Sequence, residues 1–330
     1  MFDKLFSLVS IFNAWRKFRL GKARKSDVMF FEYHFEDALF SLYEDIISGK
    51  YHHSSYEFFQ IFDNKKRDIF KAEVRDRIIH QIIYDYLLSI YEPIFISDSY
   101  SSRRNKGHHK AVNALRYFIK LASSGNKERC YVLKCDIKKY FENVDKDILM
   151  EFISKKFECQ KVMSVIREIV ESYEGKGSNQ ILKGIPLGNI TSQIFANIYL
   201  HSLDKYVKEE LKCIFYIRYN DDLAIVSNSY EDLAKIRDKI MDFVHKNLRL
   251  TIPLEKTSIR KVAWGIDFLG YVILPDAMIL RDKTKGKMYA NLSETNMYSY
   301  LGILKHCNSY NLRQKVIFKV SDVKGDLFCE

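Results

Sequence analysis

Apolar residues recur at three-to-four spacing through SYEDLAKIRDKIMDFVHKNL, residues 229–248, the period of a helix with one buried face. The same period predicts a helix from Val74 to Tyr91, stopped by Pro93, and another from Lys110 to Ala122. Residues 1–60 read as helices with a cap or turn at SGKYHHSS, 48–55, and residues 145–172 read as helical. KGIPLGNITSQIFANIYLHSLDKYVKEEL, 183–211, is a glycine-containing loop followed by a long helix. Shorter apolar runs read as strands: CYVLKCDIKKYF (130–141), which runs into an acid, Ile214 to Ile217, Leu223 to Val226, and WGIDFLGYVIL (264–274). A basic strand-like piece lies at 64–70, and the last 50 residues mix basic and aromatic side chains, helical from about Thr295. Helices, then a mixed centre, then a basic helical end predict an α+β fold with a helical domain on each side.

Composition narrows this reading. The chain has 330 residues, enough for one large core or two to three subdomains. Hydrophobic content of 47% and aromatic content of 14% predict a folded chain rather than a disordered one. No apolar run approaches the roughly 18 residues of a membrane span. The amino end, MFDKLFSLVSIFNAWRKFRLGKARK, places apolar residues before basic ones, the reverse of a secretory signal, and reads as an amphipathic helix. Six cysteines without metal-ligand spacing predict reduced thiols and a cytoplasmic chain. Against 42 acids stand 53 Lys and Arg, a net charge of +11 that suits nucleic acid. No polybasic run beside a lipidation motif points to a membrane surface.

Candidate chemistry sits at FYIRYNDDLAIVSNS, residues 215–229. Asp221 and Asp222 lie at or near a tight turn between two apolar strands, where adjacent carboxylates repel unless a cation neutralises them. Asp136 ends its own strand in the same manner. Three carboxylates at adjacent strand ends could hold two hard divalent cations, and such a pair stabilises the attacking and leaving oxygens of phosphoryl transfer. The plain alternative is a solvated acidic turn.

YNDD, 219–222, resembles the catalytic motif of reverse transcriptases, and DIKKYFENVD, 136–145, resembles their first palm motif. GIPLGNITSQIFANIYL (184–200) resembles the loop and helix that hold template and nucleotide. KKRDIFKAEVRDRIIHQII (65–83) and SYSSRRNKGHHKAV (99–112) resemble the finger motifs. LTIPLEKTSI (250–259) and IDFLGYVI (266–273) resemble the motifs after the catalytic hairpin. The resemblance implies a right-hand polymerase: an amino-terminal helical extension (1–60), fingers (61–130), a palm (131–275) with a helical insertion (145–183), and a thumb (276–330). Leu187 after Pro186, Ser192-Gln193 and YLGILKHCNSYNL (300–312) resemble the enzymes of diversity-generating retroelements, although Asn220 stands where that group carries Met. Two further readings stay open, an antiphage-defence reverse transcriptase and a non-catalytic RNA-binding protein of the same fold.

By resemblance, Asp136, Asp221, Asp222 and the carbonyl of Ile137 bind two Mg²⁺ ions, for which Mn²⁺ can substitute, and Lys256 donates a proton to the leaving pyrophosphate. Lys65, Arg67 and Arg103 meet the triphosphate, and Phe141 gates the sugar. Leu187, Gly188 and Gln193 line the nucleotide, Leu187 relaxing selection opposite template adenine. Arg104, Lys106, Tyr219, Asn220, Phe268, Leu269, Gly270 and Tyr271 meet template or primer. His108 and His109 have no partner cluster in the sequence that would suggest zinc. Implied partners are a structured template RNA, an RNA–DNA duplex, dNTPs and a basic oligomeric accessory protein.

Overall fold

The structure, a computed structural model, describes residues 1–62, 66–175 and 183–325. The amino end is helical, as its period predicts: α1 (Phe2–Leu5), α2 (Leu8–Arg19), α3 (Ser26–Tyr33) and α4 (Phe35–Ile47). A ribbon follows, β1 (Glu57–Phe62) and β2 (Lys66–Lys71), then α5 (Val74–Tyr91), α6 (His108–Ala122) and β3 (Tyr131–Asp136). Next come α7 (Tyr140–Asn143), α8 (Lys146–Ser154), α9 (Gln160–Glu171) and α10 (Ile190–Lys205). The hairpin that carries YNDD is β4 (Tyr216–Tyr219) and β5 (Asp222–Ser227), followed by α11 (Tyr230–Leu248) and β6 (Ser258–Lys261). The chain ends in β7 (Ile266–Phe268), β8 (Tyr271–Ile273), β9 (Met278–Leu280), α12 (Asp282–Ala290), α13 (Glu294–Leu304) and α14 (Tyr310–Gly325).

Three readings of the sequence need correction. The helical stretch 145–172 is two helices, because the chain turns at Lys156 and Phe157, whose amides bond Ile153 and Ser154 at 3.0 and 3.1 Å. Strand β1 begins inside the segment read as helical to residue 60, where EFFQIF offers aromatic and β-branched residues that suit a ribbon. WGIDFLGYVIL is a hairpin rather than one strand: Leu269 (φ 47°) and Gly270 (φ 87°) form a two-residue turn, and positive φ at both positions matches the strand twist.

The chain divides into two compact units, residues 1–97, 137–206 and 240–252 in the first, and 98–136, 207–239 and 253–330 in the second. Each draws on more than one of the segments expected as domains. The first unit is helical around α5 and α10. Its α10 is buried on nearly every side, so it carries Ile194, Phe195, Ile198 and Tyr199 without a polar stripe. Asp145 caps α8 by accepting from the amides of Asp147 and Ile148.

The second unit is built on an antiparallel sheet of order β4-β5-β3-β6. Helix α6 packs Leu115 and Ile119 against Val132, Ile217, Ala224 and Val226 of that sheet. The same core continues through Ile266, Phe268, Tyr271 and Ile273 of the hairpin to Met288 and Leu304 of the terminal helices. Among the described residues no helix is long and apolar enough to cross a membrane.

His109 joins three elements of this unit. Its Nδ1 lies 3.1 Å from the Tyr271 hydroxyl, which donates to the Ile303 carbonyl at 3.1 Å, so His109 donates to the tyrosine. Its ring stacks on His306, centroids 3.7 Å apart. Burial first, then His108 and His306, push the His109 imidazole down to about 4. The neutral ring is therefore the folded form. That contribution is complete above the ordinary value near 6.5 and is lost as pH falls from there toward 4. A melting series from pH 7.5 to 4.5 checks this. His109→Gln keeps an amide donor and cannot ionise, so its acid-side loss of Tm is smaller than that of the native chain; parallel curves would dismiss the role of His109.

Candidate active site

Strand register assembles the acids. Tyr219 pairs with Asp222, which leaves Asn220 and Asp221 as the two central residues of the turn. The strands therefore sit two residues later than the apolar runs suggest on the β4 side, and Asp222 belongs to β5 itself. On the other side of β5, Asp222 faces Asp136 of β3. A two-residue turn with positive φ only at its first central position normally demands glycine there, and Asn220 supplies it at φ 51°. Asparagine tolerates this region better than other side-chain-bearing residues. Arg218, fully buried, donates from Nη1 to the Asn220 carbonyl at 3.1 Å and braces the turn. The Tyr219 hydroxyl is bonded to Ser101.

Burial first, then Asp222 and Asp136, hold the Asp221 carboxyl well above the ordinary carboxylate range, and Asp221 shares a hydrogen bond with Asp136. Lys256 Nζ stands 2.7 Å from Asp136 Oδ2. The crowded oxygens thus need a proton or a cation to be neutral. Among the described residues no three such side chains form a ready-made metal cage. Magnesium needs none: it keeps several waters and takes one or two carboxylates, so this hard oxygen donor set fits it. Ile137 follows β3 directly and is fully buried.

The basic loop of the same unit carries Arg103, Arg104 and Lys106. Arg103 Nη1 donates to its own loop at the Ser99 carbonyl, 3.0 Å away. Arg104 is exposed, and Lys106 lies 4.8 Å from the centroid of the Tyr100 ring. Phe268 and Tyr271 are 1% and 2% exposed, core residues rather than a nucleic-acid-facing pair. Their alternation with the turn explains this: at the hairpin tip only Leu269 and Gly270 stay partly open.

The first unit carries Phe141, Leu187, Gly188, Gln193 and Arg67, whereas Arg103 belongs to the second. Phe141 is half-buried, and its carbonyl accepts from the Ile185 amide at 2.8 Å, at the base of the 184–189 loop. The Leu187 carbonyl accepts from Phe70 of β2 at 2.9 Å. A Cβ on Gly188 would stand 2.8 Å from Ile69 Cγ2, and its φ of 122° suits glycine alone, so the close approach of loop to strand requires this residue. Gln193 is exposed on α10, and Arg67 is exposed on β2 opposite Ile61. Lys65 lies outside the described residues.

Two residues were missed by sequence reasoning. Asn189 accepts from Ala72 N at 3.1 Å and donates to Phe70 O at 2.8 Å, tying the loop to β2. Arg218 had a visible signal, a charge inside the apolar run FYIRY, which only a buried acceptor explains. Asn189 had none beyond its place before a helix.

The family described as reverse transcriptase (RNA-dependent DNA polymerase) matches residues 62–273. The chain is 26% identical over 262 residues to the group II intron-encoded protein LtrA of Lactococcus lactis subsp. cremoris, covering 60% of this chain and 43% of that one. It is 22% identical over 246 residues to the protein YkfC of Escherichia coli K12, covering 64% of each. It therefore spans less than half the length of the Lactococcus relative. Among solved structures, apo telomerase from Candida tropicalis, truncated from its C-terminal domain, matches with a TM-score of 0.54 at 14% identity, covering 73% of this chain and 59% of that one. The telomerase from Candida albicans with a fragment of telomeric RNA gives 0.53 at 12% identity over 80% and 54%. These likenesses show the fold, an α+β polymerase right hand.

The turn makes a prediction. Asn220→Gly is expected to be neutral or stabilising, whereas Asn220→Val, β-branched at positive φ, costs about 1–2 kcal/mol. Urea unfolding checks both; equal midpoints for the two variants would mean that the turn is unstrained.

Proposed function

Because the chain belongs to the reverse transcriptase (RNA-dependent DNA polymerase) family, we propose that it copies RNA into DNA. The observation that supports this best is the strand register that sets Asp136 opposite Asp222, with Asp221 in the adjoining turn. Asp136, Asp221, Asp222 and the Ile137 carbonyl would hold two magnesium ions, with manganese a substitute. When bound, such ions polarise the transferred phosphoryl group and meet the charge that develops on it.

The other roles belong to this chain's own groups. Lys256, 2.7 Å from Asp136, gives a proton to the leaving pyrophosphate. Arg67, Lys65 and Arg103 bind triphosphate oxygens, for which guanidinium forks are suited. Phe141 places a ring against the sugar and excludes a 2′-hydroxyl. Gly188 lets backbone approach the nucleotide. Arg104, Lys106 and the turn residues Leu269 and Gly270 contact template and primer, and Gln193 borders the nucleotide. As working labels, residues 1–60 are an extension, 61–130 fingers, 131–275 palm and 276–330 thumb.

The finer reading is an enzyme of a diversity-generating retroelement, copying a structured RNA with errors at template adenines and served by a basic oligomeric accessory protein. Leu187 supports it. A leucine at this loop position offers no hydrogen bond to the nucleotide or template, and discrimination that needs one is relaxed.

Primer extension on an RNA template tests the activity. Asp222→Ala is expected to lower Mg²⁺-dependent extension by about 10²–10³-fold or more; equal rates in the two proteins would sink the assignment. Leu187→Gln is expected to lower misincorporation opposite adenine several-fold with other errors unchanged. An unaltered error spectrum, read by sequencing the products, would remove the retroelement reading's physical basis.

A further inference from the structure

The first unit buries two imidazoles that no role above uses. His80 of α5 is fully buried, and so is the side chain of His53. His53 Nδ1 is 2.6 Å from the Ser54 carbonyl, His53 Nε2 is 2.9 Å from His80 Nε2, and His80 Nδ1 is 2.7 Å from Thr191 Oγ1. A carbonyl only accepts, so His53 Nδ1 carries a proton. Burial first, then His53 and Arg77, lower the affinity of His80 for a second proton, so its ring is neutral: one nitrogen donates and the other accepts. The contacts join Thr191, His80, His53 and Ser54 in one series.

Its far end is anchored. Asp76, also fully buried, stands 4.0 Å from His53 Nδ1 and accepts from the Ser54 amide at 3.1 Å and the Tyr51 hydroxyl at 2.9 Å. The His53 ring stacks on Tyr56, centroids 4.6 Å apart, and the His53 amide donates to Glu168 at 2.9 Å.

Thr191 is the second residue of α10 and directly follows the loop of Leu187 and Gly188. That loop is tied to β2 through Leu187 and Asn189, and to itself through Ser192, which donates to the Pro186 carbonyl at 2.6 Å. Thr191–His80 attaches the same turn to α5. Apolar residues at 53, 80 and 191 together would avoid burying a hydroxyl and two imidazoles, which at best breaks even against apolar packing. What the polar chain adds is direction: it sets the rotation of the first turn of α10.

We propose that Thr191, His80 and His53 are positioning residues for the nucleotide loop, holding residues 184–189 in the conformation that receives the incoming dNTP. This rests on the polymerase reading above. Two measurements separate the failures. Amide hydrogen exchange of the free chain reads the loop whether or not the chain polymerises. Steady-state primer extension reads the KM for dNTP against kcat.

Thr191→Val is expected to raise exchange over 184–192 and to raise the KM for dNTP about tenfold, the effect of one lost buried hydrogen bond, with kcat within about twofold. Thr191→Ser restores both. His80→Phe matches Thr191→Val, and the double variant is no worse than His80→Phe alone, because each breaks the same chain. If His80→Phe does not fold, Thr191→Val against Thr191→Ser carries the test. Unchanged exchange over 184–192 in Thr191→Val would overturn the proposal. So would raised exchange with an unchanged KM, the mark of a merely structural contact. A native chain that extends no primer would refute the polymerase reading, and the exchange arm would then decide the loop attachment alone.

Discussion

Like charges set side by side by backbone pairing are the constraint on which the second unit depends. The register of β3 with β5 leaves no freedom: once Leu133 faces Ile225 and Cys135 faces Leu223, Asp136 must face Asp222. A slip of one residue would turn the apolar set of both strands to the other face. The core therefore enforces an arrangement that the carboxylates by themselves oppose. Lys256 relieves part of that opposition at Asp136, and the raised carboxyl of Asp221 shows that part of it remains. Carboxylates held this close are stabilised by nearby positive charge, and Lys256 supplies one.

The turn shows a second cost borne for the same end. Asn220 occupies a backbone region that most side-chain-bearing residues avoid, and a fully buried guanidinium braces its carbonyl. Neither feature improves packing. Both keep the two central residues of the hairpin in one conformation, which fixes where Asp221 stands relative to Asp222. Strain and a buried charge are tolerated here because the surrounding strands over-determine the turn.

Much of this was legible in the sequence, for identifiable reasons. Helix α5 matches its predicted limits, Val74 to Tyr91, because its period is regular and Pro93 follows. Asp136 at a strand end was readable because an apolar run ended there. What the sequence concealed was pairing. Apolar runs marked β4 and β5 as strands, but only the register shows that Asp222 is inside β5 and that Phe268 and Tyr271 face inward. The break between α8 and α9 was hidden because apolar residues flank it on both sides at helical spacing. The buried imidazole chain was hidden for another reason: His53, His80 and Thr191 are far apart in sequence, and none stands in a motif that names its partner.

The 184–189 loop follows a different logic from the turn at Asn220 and Asp221. Its apolar anchorage lies at its base, where Ile185 and Pro186 are buried, and at Gly188 the backbone meets Ile69 of β2 where no side chain would fit. Beyond that base its conformation is set by hydrogen bonds from outside: Phe70 to Leu187, Ala72 to Asn189, and the bond between Thr191 and His80. Apolar packing is non-directional and would allow the loop to slide by fractions of an ångström at small cost. Directed bonds to buried partners do not, since each displaced donor or acceptor loses its partner where no water replaces it. A loop that keeps part of its surface open can still be held firmly, provided that the bonds that hold it come from behind.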